Sequence, residues 1–255
     1  MFAMNRKPYT FGRFRVSLLL SLLLSLSAPI RGETVNIAVA ANFLSTAQQL
    51  VQAFSQSNSH NILISSGSSG KLFIQIKHGA PFHLFLSADT DRPKRLIEEG
   101  IALDDLKIYA TGQLALWSKH YPGIEQGLEA LDKNHVTRLA IANPKTAPYG
   151  AAAIEVLASR EPAYDGVIVQ GDNIAQTYQF AASGNVDAAF VALSQIKKLP
   201  QGYYWQVPHE IHTPLHQGAV ILKAAQDNLT ANAFYDFLSS HTAQQIIRQS
   251  GYLTF

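Results

Sequence analysis

The chain contains no cysteine. That excludes a disulfide framework, a cysteine-ligated metal, a lipid-modified cysteine and a thiol nucleophile. Charge is also sparse, at 15% of residues, and it is unevenly placed. Five of the 20 basic residues (Arg6, Lys7, Arg13, Arg15 and Arg31) and none of the 18 acidic ones fall in residues 1–32, which leaves 15 basic against 18 acidic residues and a formal net charge of −3 for the remainder. The basicity of the whole chain belongs to its first segment, so nucleic acid is not an expected partner of the rest. Long apolar runs are missing with one exception, residues 16–26, and that run is shorter than the roughly 20 residues a membrane span needs. Basic residues precede it and the small residues Ser27, Ala28 and Gly32 follow it. Residues 1–32 therefore read as a secretory signal peptide, with a cut near Gly32 favoured because Pro29 follows Ala28. The remaining chain is expected in the periplasm as a soluble protein, and its length suffices for one or two well-packed domains.

Beyond residue 32, apolar extended runs alternate with helical patterns. Strands are expected at 35–40, 61–65, 83–87, 138–142, 167–170 and 188–192, each but the last followed by a helical pattern. The rhythm changes near 107–118, where two extended runs are separated only by Thr111, Gly112 and Gln113. Two such runs can form one long crossing between lobes. Extended runs at 203–207 and 218–222 and two final helices, 229–239 and 243–249, complete the chain. The fold class is α/β with two lobes, each a mostly parallel sheet flanked by helices, and a ligand cleft between them. Lobe one is expected from 33–112 and 210–255, and lobe two from 113–209.

Four loops follow strands and precede helices, where ligands of open parallel sheets gather. The first, 40–43, holds Asn42, a residue suited to cap the next helix. The second, 65–70, reads Ser-Ser-Gly-Ser-Ser-Gly. It sets the hydroxyls of Ser68 and Ser69 and two glycines at a helix N-terminus, where unpaired N–H groups and the helix dipole favour an anion. The third, 143–150, is stiffened by Pro144 and Pro148 and carries Tyr149 at the helix start. In the fourth, 171–174, Asp172 or Asn173 can cap the helix that begins at Ile174. Together the four loops make an oxyanion trap of neutral donors. A half-protonated anion such as phosphate needs an acceptor for its own proton, and the first three loops offer no carboxylate. A fully ionised tetrahedral dianion (molybdate, tungstate or sulfate) fits better. Ser69→Ala is expected to weaken anion binding without changing ligand-free stability.

Other chemistries fit poorly. Leu72 follows Lys71 where a phosphate-binding loop of the Walker type requires Ser or Thr. No Gly-x-Ser-x-Gly elbow surrounds Ser68 or Ser69, and a secreted serine hydrolase built on either would need a His and an acid that the four loops do not supply. His209, His212 and His216 are the best candidate metal cluster, but Pro208 and Pro214 prevent a helix from aligning them. No catalytic residue, cofactor or free metal cation is expected.

At these residues the chain resembles the periplasmic molybdate-binding proteins of ABC transporters, over roughly residues 34–255. The motifs are Val39-Ala40-Ala41-Asn42-Phe43, Gly67-Ser68-Ser69-Gly70-Lys71-Leu72, the run from Gly79 through Pro81 and Leu84-Phe85 to Ser87-Ala88-Asp89, Asn143-Pro144 with Pro148-Tyr149-Gly150, and Ala233-Phe234-Tyr235-Asp236-Phe237-Leu238. The resemblance implies the two-lobed type II binding-protein fold. It also implies a molybdate or tungstate ligand contacted by Asn42 and Ser69 from one lobe and by Tyr149 and the Ile174 backbone N–H from the other. The molybdenum or tungsten would enter as oxyanion, held at Asn42, Ser69, Tyr149 and Ile174. Ser68 and Asn173 stand beside these contacts. Some members add a tyrosine where this chain has Ala192, and Tyr149 is expected to compensate. His83 replaces the family's usual Asp. The implied partner is an ABC transporter permease in the inner membrane, served by a monomeric binding protein; another oxyanion, sulfate or phosphonate-like, is the alternative ligand.

Overall fold

The computed structural model describes residues 1–4, 34–56, 61–132 and 134–254. The expected signal peptide, residues 1–32, lies outside the described residues save for its first four. The chain from Glu33 to Phe255 is one compact unit, and it contains both sheets described below.

Ten strands form two five-stranded sheets. The first contains β1 (Thr34–Ala40), β2 (Asn61–Gly67), β3 (Leu84–Leu86), β4 (Lys107–Gly112) and β10 (Leu215–Ile221) in the order β2-β1-β3-β10-β4. The second contains β5 (Leu114–Ser118), β6 (Arg138–Ala142), β7 (Val167–Gly171), β8 (Ala188–Ala192) and β9 (Tyr203–Gln206) in the order β7-β6-β8-β5-β9. In each sheet the strands that feed helices are parallel: β1 with β2 and β3, and β6 with β7 and β8. The antiparallel strands are those that cross between the sheets. β4 runs into β5 with only Gln113 between them, and the chain returns from β9 to β10 through residues 207–214.

The helices are α1 (Leu44–Ser55), α2 (Ser69–Lys77), α3 (Asp91–Glu98), α4 (Pro148–Ala158), α5 (Ile174–Ala182), α6 (Leu193–Ile196), α7 (Leu229–Phe237) and α8 (His241–Gln249). Strands buried on both faces read as unbroken apolar runs rather than alternating ones. One face of the first sheet packs Val35, Ile37 and Val39 on Leu50 and Phe54 of α1, Phe234 of α7 and Ile247 of α8. The other face packs Phe85 and Val220 on Leu72 and Phe73 of α2 and Leu96 of α3. In the second sheet Ile141 and Phe190 meet Ala152, Ala153 and Val156 of α4, while Ala140 and Ala189 meet Ala181 of α5. Burying each large side chain of this kind contributes about 1.5–3 kcal/mol. The last two helices are held at their starts by side-chain caps: Asn228 Oδ1 accepts from Ala231 N–H, and Ser240 Oγ from Ala243 N–H.

Three features depart from the sequence reading. Strand β10 begins at Leu215 rather than at residue 218. A nine-residue stretch of 3₁₀ turns, Pro122–Ala130, and the one-turn α6 occupy segments to which the sequence reading assigns no element. His83 leaves no polar gap where the family has Asp, because its Nδ1 accepts the Asn36 N–H at 2.8 Å and its own N–H returns a 2.8 Å bond to the Asn36 carbonyl. Among the described residues no helix is long and apolar enough to cross a membrane, and no three His, Asp or Glu side chains approach closely enough to hold a metal. His212 instead bonds the Thr213 carbonyl, and His216 the Thr111 hydroxyl.

Candidate functional site

The carboxyl ends of β1, β2, β6 and β7 deliver the chain to the four loops singled out above. These loops meet at one small cavity between the sheets. Ala40, Ala41, Asn42, Ser68, Ser69 and Ala88 line it from one side, and Ala147, Pro148, Tyr149, Asn173 and Ile174 from the other. All six candidate residues are thus brought together. No carboxylate, imidazole, ammonium or guanidinium side chain lines the cavity.

Three helices start at its wall. Ser69 is the first residue of α2, Tyr149 the second of α4, and Ile174 the first of α5. At these positions the N–H groups have no intrahelical acceptor, and the dipole places partial positive charge. Ser68 occupies the cap position of α2, yet its side chain makes no capping bond. Its Oγ is buried without any hydrogen-bond partner, as is the hydroxyl of Tyr149. Buried hydroxyls are ordinarily paired, since leaving one bare costs about 1–3 kcal/mol. Ser68 and Tyr149 both line the cavity, with the Tyr149 hydroxyl set behind its wall against Gly112 and Gln217; each is a donor that finds no acceptor of good geometry in the protein. The third hydroxyl is aimed by the fold: Ser69 Oγ accepts the Ala88 N–H at 2.9 Å, leaving its proton free to donate.

Asn42 behaves differently from the cap the sequence suggests. It lies inside a 3₁₀ turn, Ala41–Phe43, and caps nothing. The Tyr252 hydroxyl donates to its carbonyl at 2.7 Å, so the Tyr252 oxygen is left to accept from Asn42 Nδ2 at 3.1 Å. The second Nδ2 proton goes to Gln217 Oε1 at 2.9 Å. Both amide protons are therefore occupied, and the donor Asn42 can offer a ligand is its backbone N–H. Asn173 does cap: its Oδ1 accepts from Ala175 and Gln176 N–H, orienting the start of α5. Ala192 carries no donor, but Ser194, two residues on, donates to the Asn42 carbonyl at 3.1 Å.

Behind the cavity, Tyr109, Tyr149, Gln217 and Tyr252 are buried together. Burial holds the phenols of Tyr109, Tyr149 and Tyr252 well above their ordinary pKa, so each keeps its proton at neutral pH. The Tyr149 hydroxyl lies beside Asn42 and Gln217, whose amides partly offset the effect of burial on its pKa, although neither contact has good hydrogen-bond geometry. Gln217, Gly112 and Tyr252 were not singled out in the sequence. They come from the lobe crossings and the last residues of the chain, and only tertiary packing joins them to the loops.

A family model described as bacterial extracellular solute-binding protein matches residues 35–253. The chain is 41% identical over 239 residues to the molybdate-binding protein ModA of Rhodobacter capsulatus, covering 92% of this chain and 94% of that one. It is 40% identical over 233 residues to the molybdate-binding protein ModA of Azotobacter vinelandii, covering 89% and 92%. Its structure superposes on the Azotobacter vinelandii periplasmic molybdate-binding protein with a TM-score of 0.81 at 36% identity, over 87% of this chain and 99% of that one.

Proposed function

The chain belongs to the bacterial extracellular solute-binding protein family, and from that premise we propose that it captures molybdate or tungstate in the periplasm and delivers it to an ABC transporter permease. It is a transport protein, not an enzyme, and molybdate or tungstate is its cargo rather than a cofactor. Residues 1–32 direct export. Lobe one (33–112 and 210–255) and lobe two (113–209) close on the anion, and the protein acts as a monomer.

The observation that carries this reading is the pair of buried hydroxyls without acceptors on Ser68 and Tyr149, two residues that line one cavity together with Ser69 and three helix N-termini. Ser69, Tyr149, the Ile174 N–H and the Asn42 N–H are the principal donors, with Ser68 and Asn173 beside them. A hydrogen bond to a charged acceptor contributes about 1.5–3 kcal/mol, and a handful of them holds a dianion without any charged side chain. The same site gives a protonated oxyanion no carboxylate to accept its proton, which disfavours phosphate. Titration calorimetry with molybdate, tungstate, sulfate and phosphate tests the reading. Heat is expected with molybdate and tungstate and none with phosphate; a protein that gives no heat with molybdate sinks it.

Ser69→Ala is no longer a pure binding variant. Losing the acceptor of the buried Ala88 N–H is expected to lower ligand-free stability by about 1–3 kcal/mol, in addition to weakening molybdate. The sequence alone implies unchanged ligand-free stability; thermal melting without ligand decides between the two, and an unchanged midpoint would show that the Ala88 bond contributes nothing.

A further inference from the structure

Three consecutive residues at the start of α2 act in three directions. Ser69 faces the cavity. Gly70 donates its N–H to the Thr146 carbonyl at 2.8 Å. Lys71 Nζ pairs with Asp172 Oδ2 at 2.9 Å. Both partners belong to the opposite lobe, and each sits one to three residues before cavity-lining residues, Thr146 before Ala147 to Tyr149 and Asp172 before Asn173 and Ile174. A further bond runs alongside, from Arg92 Nη2 to the Lys145 carbonyl at 3.2 Å, with Arg92 anchored by Asp89.

We propose that Gly70 and Lys71 form a latch between the lobes that sets how long the bound anion is held; the proposal rests on the anion reading of the adjoining cavity. The Gly70 contact leaves no room for a side chain. A Cβ there would lie 2.9 Å from Thr146 Cα and 3.0 Å from its carbonyl oxygen. These are backbone atoms that cannot swing aside. The requirement for glycine is not conformational, because Gly70 is an ordinary helical residue outside the positive-φ region. Alanine is a better helix former than glycine, so the substitution does not weaken α2 itself. The latch therefore predicts an unusual separation: Gly70→Ala leaves its own helix intact and obstructs closure. Lys71 has a second task. It pairs with the Asp172 carboxylate, which would otherwise stand next to the anion's own loop as an uncompensated like charge. The pair is half-exposed, so its effect is modest and salt-dependent.

Gly70 and Lys71 are positioning residues, acting through the donors beside them. The test uses stopped-flow release of molybdate, ligand-free melting, and spin-label distances between Glu98→Cys on lobe one and Gln179→Cys on lobe two. The chain has no cysteine of its own to interfere. Gly70→Ala is expected to release molybdate at least about tenfold faster, with a ligand-free melting midpoint no lower than the parent's and a smaller closed population. Lys71→Asp is expected to release it about threefold faster, and adding Asp172→Lys to restore the parent rate. Unchanged release from Gly70→Ala, or no rescue by the charge swap, overturns the latch. A parent protein that does not respond to molybdate at all defeats the functional reading instead. The ligand-free distance distributions then decide the latch by themselves, equal populations in parent and Gly70→Ala overturning it.

Discussion

Tyr149→Phe is expected to weaken molybdate binding by about 10- to 100-fold while leaving the ligand-free protein as stable as the parent or slightly more so. The two halves of this expectation come from one atom. The Tyr149 hydroxyl is enclosed and makes no hydrogen bond of good geometry within the protein, so deleting it breaks no strong internal bond and relieves a desolvated polar group. The ring remains to fill the core beside Ala152 and Leu215. With the anion present the same hydroxyl becomes a charge-assisted donor, and its loss removes about 1.5–3 kcal/mol from the bound state alone. Calorimetry and ligand-free melting read the two halves separately. Parent-like affinity would remove Tyr149 from the contact set, and a clear drop in ligand-free stability would mean the hydroxyl has a partner inside the fold.

Gly112→Ala should produce a comparable loss of affinity by a route that never touches the anion. Gly112 ends β4 at the crossing into lobe two, and a Cβ there would overlap the Tyr149 hydroxyl and come within 2.8 Å of Gln217 Nε2. Nothing in its backbone demands glycine, since its φ is not positive. The space is reserved for the Tyr149 side chain. An added methyl must push the phenol or Gln217 away, at about 1–3 kcal/mol of ligand-free stability for overpacking, and it misplaces the donor that Tyr149 brings. The variant is expected to bind at least as weakly as Tyr149→Phe. Because both changes act on the same hydroxyl, the double variant Gly112→Ala/Tyr149→Phe should bind little worse than Gly112→Ala alone. Fully additive losses would falsify this assignment and place the effect of Gly112 on the crossing itself.

Much of the architecture was legible in the sequence because parallel strands covered on both faces announce themselves as apolar runs, as in 35–40 and 138–142, and because each is followed by a helix with its own period. The same logic located the loops, since a helix after a parallel strand starts at the sheet's carboxyl edge. The start of β10 was hidden by its chemistry. His216 and Gln217 look like loop residues, but Gln217 is wholly buried, its amide tied to Asn42 and the Leu215 carbonyl. A polar side chain satisfied by distant partners carries no local signature. The capping alternative for Asn42 fails for the same reason: its cap-like neighbourhood is local, whereas Tyr252, which fixes its amide, is 210 residues away. Tyr149 could be placed at a helix start, but its lack of a partner is visible only once Gly112 and Gln217 surround it.

The position of β10 has a bearing on the order in which the molecule can be assembled. It is the last strand in sequence, yet it lies between β3 and β4, with antiparallel partners on both sides. The second sheet, by contrast, draws all its strands from one unbroken stretch, Leu114 to Gln206. A chain delivered amino end first across a membrane can complete that sheet once residue 206 has emerged. The first sheet, begun more than a hundred residues earlier by β1, stays split between β3 and β4 until residue 221 arrives, and its α1 face stays bare until α7 and α8 follow. The part of the molecule that emerges first is therefore the part that finishes last, and during that interval its apolar strands and an unfilled central gap are what any export chaperone or protease would meet.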